Sequence, residues 1–131
     1  LKGGYILADS DKKTPDVLLI ASGSEVEQCM QAKVLLKEKG VDARVVSMPC
    51  IEEFEKQSRS YQDAVLPPHV RARVCVEAGS PYSWYKYAGD LGEIIAMNTF
   101  GASAPAGKLF EMYGFTAENV VEKAFRTINK Q

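Results

Sequence analysis

The residues that could do chemistry in this chain are few and scattered. Ser22-Gly23-Ser24 lies between an apolar run, VLLIA at 17 to 21, and a helical pattern. A loop of that kind brings backbone N–H groups and the positive end of a helix dipole to one point, which suits a phosphate or a carboxylate. Ser22, Gly23 and Ser24 are therefore a candidate anion site. The plainer role is a tight strand-to-helix turn with a serine cap. Neither G-x-G-x-x-G nor G-x-x-x-x-G-K-[ST] is present to favour phosphate.

Glu77-Ala78-Gly79 falls at the carboxyl end of a predicted strand, where open α/β sheets bind ligands. Glu77 could exchange a proton, but no histidine or second acid accompanies it in the motif, and a carboxylate accepting loop N–H groups is the simpler role. His69, the only histidine, follows Pro67-Pro68 and reads as a solvated loop residue. Gly89-Asp90-Leu91-Gly92, with Asn119 further on, loosely imitates a G-D-G…N site for Mg²⁺ and a diphosphate. Leu91 stands at its third position and Asn119 falls in the first turn of a helix, so the pattern is rejected. Cys29, Cys50 and Cys75 are widely spaced, with no C-x-x-C, and read as structural thiols. Tyr82, Trp84, Tyr85 and Tyr87 concentrate aromatic rings on a short segment. They suit an interface, or the packing of a loop on its own core, and the residue types do not separate the two.

The elements that must position these residues alternate between strand and helix. GYILAD at 4 to 9 reads as a strand, SDKKTPD as a turn, and VLLIA as a strand buried on both faces. SGSEVEQCMQAKVLLKEKG reads as a helix. Ser24 and Glu27 have capping-box spacing, Val26, Cys29, Met30 and Val34 recur on one face, and Gly40 is a left-handed stop. ARVVSM at 43 to 48 is the next strand, completing a βαβ unit of about 32 residues. Short helices are predicted in IEEFEKQ, SYQDAV and SWYKYAG, and strands around 72 to 77 and in EIIAMN. APAGKLFEMYG is a helix entered through Pro105. Ala117, Val120, Val121, Ala124, Phe125 and Ile128 mark a final amphipathic helix. The alternation predicts one α/β domain over residues 1–131, with a mostly parallel sheet whose first strand can run antiparallel.

Composition narrows the function classes. The chain is 46% hydrophobic and 25% charged, as soluble domains are, and its formal net charge of -1 includes no basic block. No nucleic-acid partner is expected. No apolar run approaches the roughly 20 residues of a membrane helix, and no membrane partner is expected. Cysteine usage fits a reducing cytoplasm. The chain begins at Leu1, which suggests a processed product or an excised fragment.

Several segments in order are distinctive: GGYIL, DVLLIASGSEVEQ, GVDARVVSMP, VLPPHVRARVCVEAG, WYKYAG and NTFGASAPAGKLFEMYGFTAENVV. Together they make the chain resemble the C-terminal domain of the transketolase family over essentially its whole length. The related domains of pyruvate dehydrogenase-type enzymes and deoxyxylulose phosphate synthase are less similar in TFGASAP. The resemblance implies a three-layer α/β/α sandwich around a five-stranded mixed sheet of order 1-3-2-4-5, with its first strand antiparallel at the edge. It also implies a parent enzyme that moves a two-carbon ketol unit from a ketose phosphate to an aldose phosphate in the pentose phosphate pathway. The parent would work as a cytoplasmic homodimer with thiamine diphosphate and Mg²⁺ (or Ca²⁺). In the family the cofactor, metal and substrate residues belong to two upstream domains, which would be this domain's partners together with a second subunit. No position here matches those motifs, so no catalytic, cofactor-binding or metal-binding residue is assigned. Two roles follow: a non-catalytic, dimer-supporting domain, with Tyr82, Trp84 and Tyr85 as interface candidates, or a regulatory module binding a small anion at Ser22-Gly23-Ser24.

Overall fold

The computed structural model describes residues 2–77, 85–96 and 116–130. Strands β1 (Tyr5–Ala8), β2 (Val17–Ala21), β3 (Ala43–Ser47), β4 (Arg73–Glu77) and β5 (Glu93–Ala96) form one sheet of order β1-β3-β2-β4-β5. β1 pairs antiparallel with β3 at the edge, and the other neighbours pair parallel. The expected five-stranded mixed sheet and its order are thus observed. β2 is central and every residue in it is buried, which is why its sequence is an unbroken apolar run rather than an alternating one.

Helices cover both faces. α1 (Val26–Glu38) and the terminal helix α5 (Ala117–Asn129) pack on one face. There Cys29, Ala32 and Leu36 of α1 and Val120, Val121 and Ala124 of α5 meet Val17, Leu19, Val45, Val74 and Val76 of the sheet. α2 (Ile51–Glu55), α3 (Arg59–Val65) and α4 (Tyr85–Ala88) cover the other face, where Phe54, Val65 and Tyr87 meet Leu18, Ile20, Val46 and Cys75. Alternate strand residues feed alternate cores, as the two-residue period of a strand requires. The helix expected in APAGKLFEMYG lies outside the described residues.

α1 departs from expectation at its start and on its face. Gly23–Glu25 forms a 3₁₀ turn, Glu25 occupies the N-cap position, and no side chain caps the helix there. The tight turn places the α-helix start two residues beyond Ser24, so the Ser24–Glu27 box is not the cap. The buried stripe is Cys29, Ala32 and Leu36; of the predicted stripe Cys29 is buried and Val26 packs partly buried against this core, while Met30 and Val34 are exposed. At about 100° per residue, Val34 lies roughly opposite Ala32 and is 60% exposed. The end of α1 matches its sequence signal. Gly40 (φ +81°) donates to Lys37 O at 3.0 Å and Val41 to Leu36 O at 2.9 Å, a Schellman closure.

Two arginines flank Leu18 at the same register on neighbouring strands, the buried Arg44 on β3 and the half-buried Arg73 on β4. Arg44 Nε donates to Asp9 Oδ1 at 2.7 Å, and its Nη1 donates to the carbonyls of Ala64 and Val65 at the end of α3. Partial burial pushes the Asp9 carboxyl up, but the Arg44 guanidinium and the Ser10 N–H outweigh it and hold the group below the usual carboxylate range. A depressed folded value contributes stability that is fully present above the unfolded value and is lost as pH falls through the folded one. Asp9→Asn is therefore expected to cost no more than about 1 kcal/mol at neutral pH, since the carboxylate is half in solvent. In urea titrations across pH, the gap between variant and unchanged chain should close in acid. A gap that stayed constant down to the acid limit would show that the pair contributes nothing.

Candidate functional site

The strand order places the topological switch between β2 and β4, because β3 lies on one side of β2 and β4 and β5 on the other. Ligands of open α/β sheets sit at such a point, outside the carboxyl ends of the strands. Two sequence candidates meet there. Ala21 pairs with Val76, so the Ser22-Gly23-Ser24 turn and Glu77 leave neighbouring strands side by side. Residues 78–84, which follow Glu77, lie outside the described residues, as do the interface candidates Tyr82 and Trp84. Tyr85 begins α4.

The β2–α1 turn already carries an acid of its own. Glu25 is only 5% exposed, and a Cβ built on Gly23 (φ +59°) would meet Glu25 Oε2 at 3.4 Å. An incoming anion would therefore meet a carboxylate seated beside the helix N-terminus. Burial pushes the Cys29 thiol up to about 12, and Glu25 adds to the rise. Such a cysteine stays a neutral thiol and acts as core. Cys75 is fully buried and its thiol is also pushed up, chiefly by burial.

The other candidates separate in space or are engaged elsewhere. Asp90 pairs with Arg71, which holds its carboxyl below the usual range. Asn119 lies in the first turn of α5, where its backbone N–H is capped by Thr116 Oγ1 at 3.1 Å. With Asp90 paired to Arg71, the Gly89-Asp90 pattern presents no free carboxylate to a metal. Among the described residues no group of three or more His, Cys, Asp or Glu could hold a metal ion. His69 lines a shallow groove with Asp16, Gly40 and Ile128, away from the β2–β4 crevice. Tyr87 is 7% exposed, edge-on to Phe54, and donates to Glu55 Oε1 at 3.1 Å. For Tyr87 the packing role holds.

Arg44 and Arg73 were not singled out from the sequence, although the signal was there. Each interrupts an apolar strand segment at an inward position, in ARVVS and RVCVE.

Comparison with known proteins settles the family. The model described as "Transketolase-like TK C-terminal domain" matches residues 3–116. The chain belongs to the transketolase family and is its C-terminal domain. It is 57% identical over 123 residues to "Transketolase 2" of Vibrio vulnificus, covering 94% of this chain and 18% of that protein. It is 53% identical over 122 residues to "Transketolase" of Aquifex aeolicus, covering 93% and 18%. The solved "Transketolase from Leishmania mexicana" superposes with a TM-score of 0.88 at 38% identity, covering 98% of this chain and 18% of that one. The transketolase C-terminal domain described here thus spans about 18% of the length of the curated relatives it matches. No helix among the described residues is long and apolar enough to cross a membrane.

Proposed function

We propose that this domain is a non-catalytic part of a transketolase, supporting the dimer and the upstream domains that carry the chemistry. The whole enzyme would transfer a two-carbon ketol unit from a ketose phosphate to an aldose phosphate in the cytoplasmic pentose phosphate pathway. Thiamine diphosphate and a divalent cation would be held by the upstream domains. The observation that carries this proposal is the 57% identity to a transketolase over 94% of the chain but only 18% of the relative. That identity aligns the domain with a small part of a larger enzyme. Consistent with this, the one metal-like pattern in the chain has its Asp90 committed to Arg71.

The expected result is a chain that unfolds cooperatively yet shows no ketol transfer when supplied with thiamine diphosphate, Mg²⁺ and a pair of sugar phosphates. A coupled assay for the aldose product checks this. Turnover above the protein-free control would refute the proposal.

A further inference from the structure

On the face covered by α2, α3 and α4, a cleft of about 330 Å³ opens between α3 and α4. Among the described residues it is lined by five charged side chains, Glu55, Arg59, Asp63, Arg73 and Lys86, together with Tyr87 and neighbouring apolar groups. The acids are matched. Glu55 pairs with Lys86 at 2.6 Å and accepts from Tyr87, and Asp63 faces Arg59 at 3.8 Å. Arg73 has no carboxylate partner among the described residues. Its Nε, Nη1 and Nη2 donate to the backbone carbonyls of Val70, Tyr87 and Pro67, at 2.9, 2.8 and 2.9 Å.

Three of the five guanidinium N–H groups are thus used, by neutral acceptors. Among the described residues the cleft keeps three cations against two carboxylates, and the charge with no counter-charge sits on the half-buried member held by three hydrogen bonds. Burial pulls the Arg73 guanidinium down from its usual range, so its charge is partly desolvated. A buried charge is stabilised by a counter-charge at hydrogen-bond distance, and a fixed guanidinium fork suits an oxyanion.

We propose that this cleft binds a small oxyanion group, a phosphate or a carboxylate, on the remaining Nη1 and Nη2 N–H groups of Arg73 with Lys86 and Arg59 at its rim. The site is separate from the Ser22-Gly23-Ser24 turn and does not depend on the role proposed above for the domain in its parent enzyme.

The test is a titration of the ¹⁵N-labelled chain with inorganic phosphate, and in parallel with acetate, at low ionic strength. Saturable shifts are expected at the Arg73 Nε–H and at the amides of Lys86 and Tyr87. The stronger of the two ligands identifies the anion class. Lys86→Gln and Arg59→Gln change exposed side chains and leave the fold intact, and each should weaken binding about threefold, as the loss of one exposed ion contact would. Three results would overturn the proposal. One is the absence of saturable shifts up to about 20 mM of either ion, well above the millimolar range of weak sites. Another is affinity unchanged in both variants. The third is shifts confined to residues 22–26, which would place the anion at the β2–α1 turn.

Discussion

Phe54→Ala is expected to lower the stability of this domain by about 3–5 kcal/mol, read as a drop in the urea midpoint at unchanged slope. Phe54 is 1% exposed and is the largest of the fully buried side chains among the described residues. It projects from α2 into the second core, edge-on to Tyr61 and Tyr87 at centroid distances of 6.1 and 6.2 Å. Neither ring is free to collapse into the space left behind. The Tyr61 hydroxyl donates to Gly4 O at 2.8 Å and the Tyr87 hydroxyl to Glu55 at 3.1 Å. A cavity that cannot shrink carries the full cost of the lost contacts. Phe54→Leu keeps part of the volume and should cost less. An alanine variant within about 1 kcal/mol of the unchanged chain, in the range of ordinary surface substitutions, would show that the second core is not a cooperative part of the fold.

Gly3→Ala is the second large effect, expected at about 2–5 kcal/mol from backbone strain and crowding together. Gly3 has φ +77°, where an L side chain is strained. An added Cβ would also lie 2.2 Å from Cys50 O and 2.4 Å from Phe54 N, backbone atoms at the N-cap and in the last turn of α2. The Gly3 carbonyl accepts the Cys50 N–H at 2.9 Å, so the glycine seats the chain entering β1 directly on α2. The chain can escape the clash only by lifting off, which breaks that bond and exposes Met48 and Phe54 beneath Gly4. Hydrogen exchange at the Cys50 amide distinguishes the outcomes. Protection equal to that of the unchanged chain, with an unchanged urea midpoint, would mean that the close approach does not exist in solution. The two substitutions act on the backbone and the side chain of the same residue, Phe54, so their costs should not add.

Much of the architecture was legible because it rests on local periodicity. The continuous apolar run of β2 signalled a central strand, and the i, i+3, i+4 spacing of Ala117, Val120, Val121 and Ala124 signalled the buried face of α5. Gly40 marked the end of α1 because few other residues adopt its backbone conformation. The errors arose where two local rules competed. Ser24 and Glu27 fit a capping box, but a 3₁₀ turn through Gly23–Glu25 took its place and put a buried glutamate beside the helix N-terminus. From Cys29 a helical stripe can continue through Met30 and Val34 or through Ala32 and Leu36. Only packing against the sheet and α5 decided which stripe went inside.

The sequence by itself determined the family, the alternation of strands and helices, and the poor fit of Asp90 and Asn119 to a metal site. These depend on residue order and local spacing, which folding does not change. The tertiary structure alone decided which charges share a place. Arg44 and Arg73 lie 29 positions apart in the chain, yet both flank Leu18 because β3 and β4 lie on either side of β2. Among the described residues Arg44 found a carboxylate, Asp9, and Arg73 found only backbone carbonyls. That difference cannot be read along the chain. Electrostatic compensation depends on distance in space, and a charge's partners are set by how strands register and helices pack.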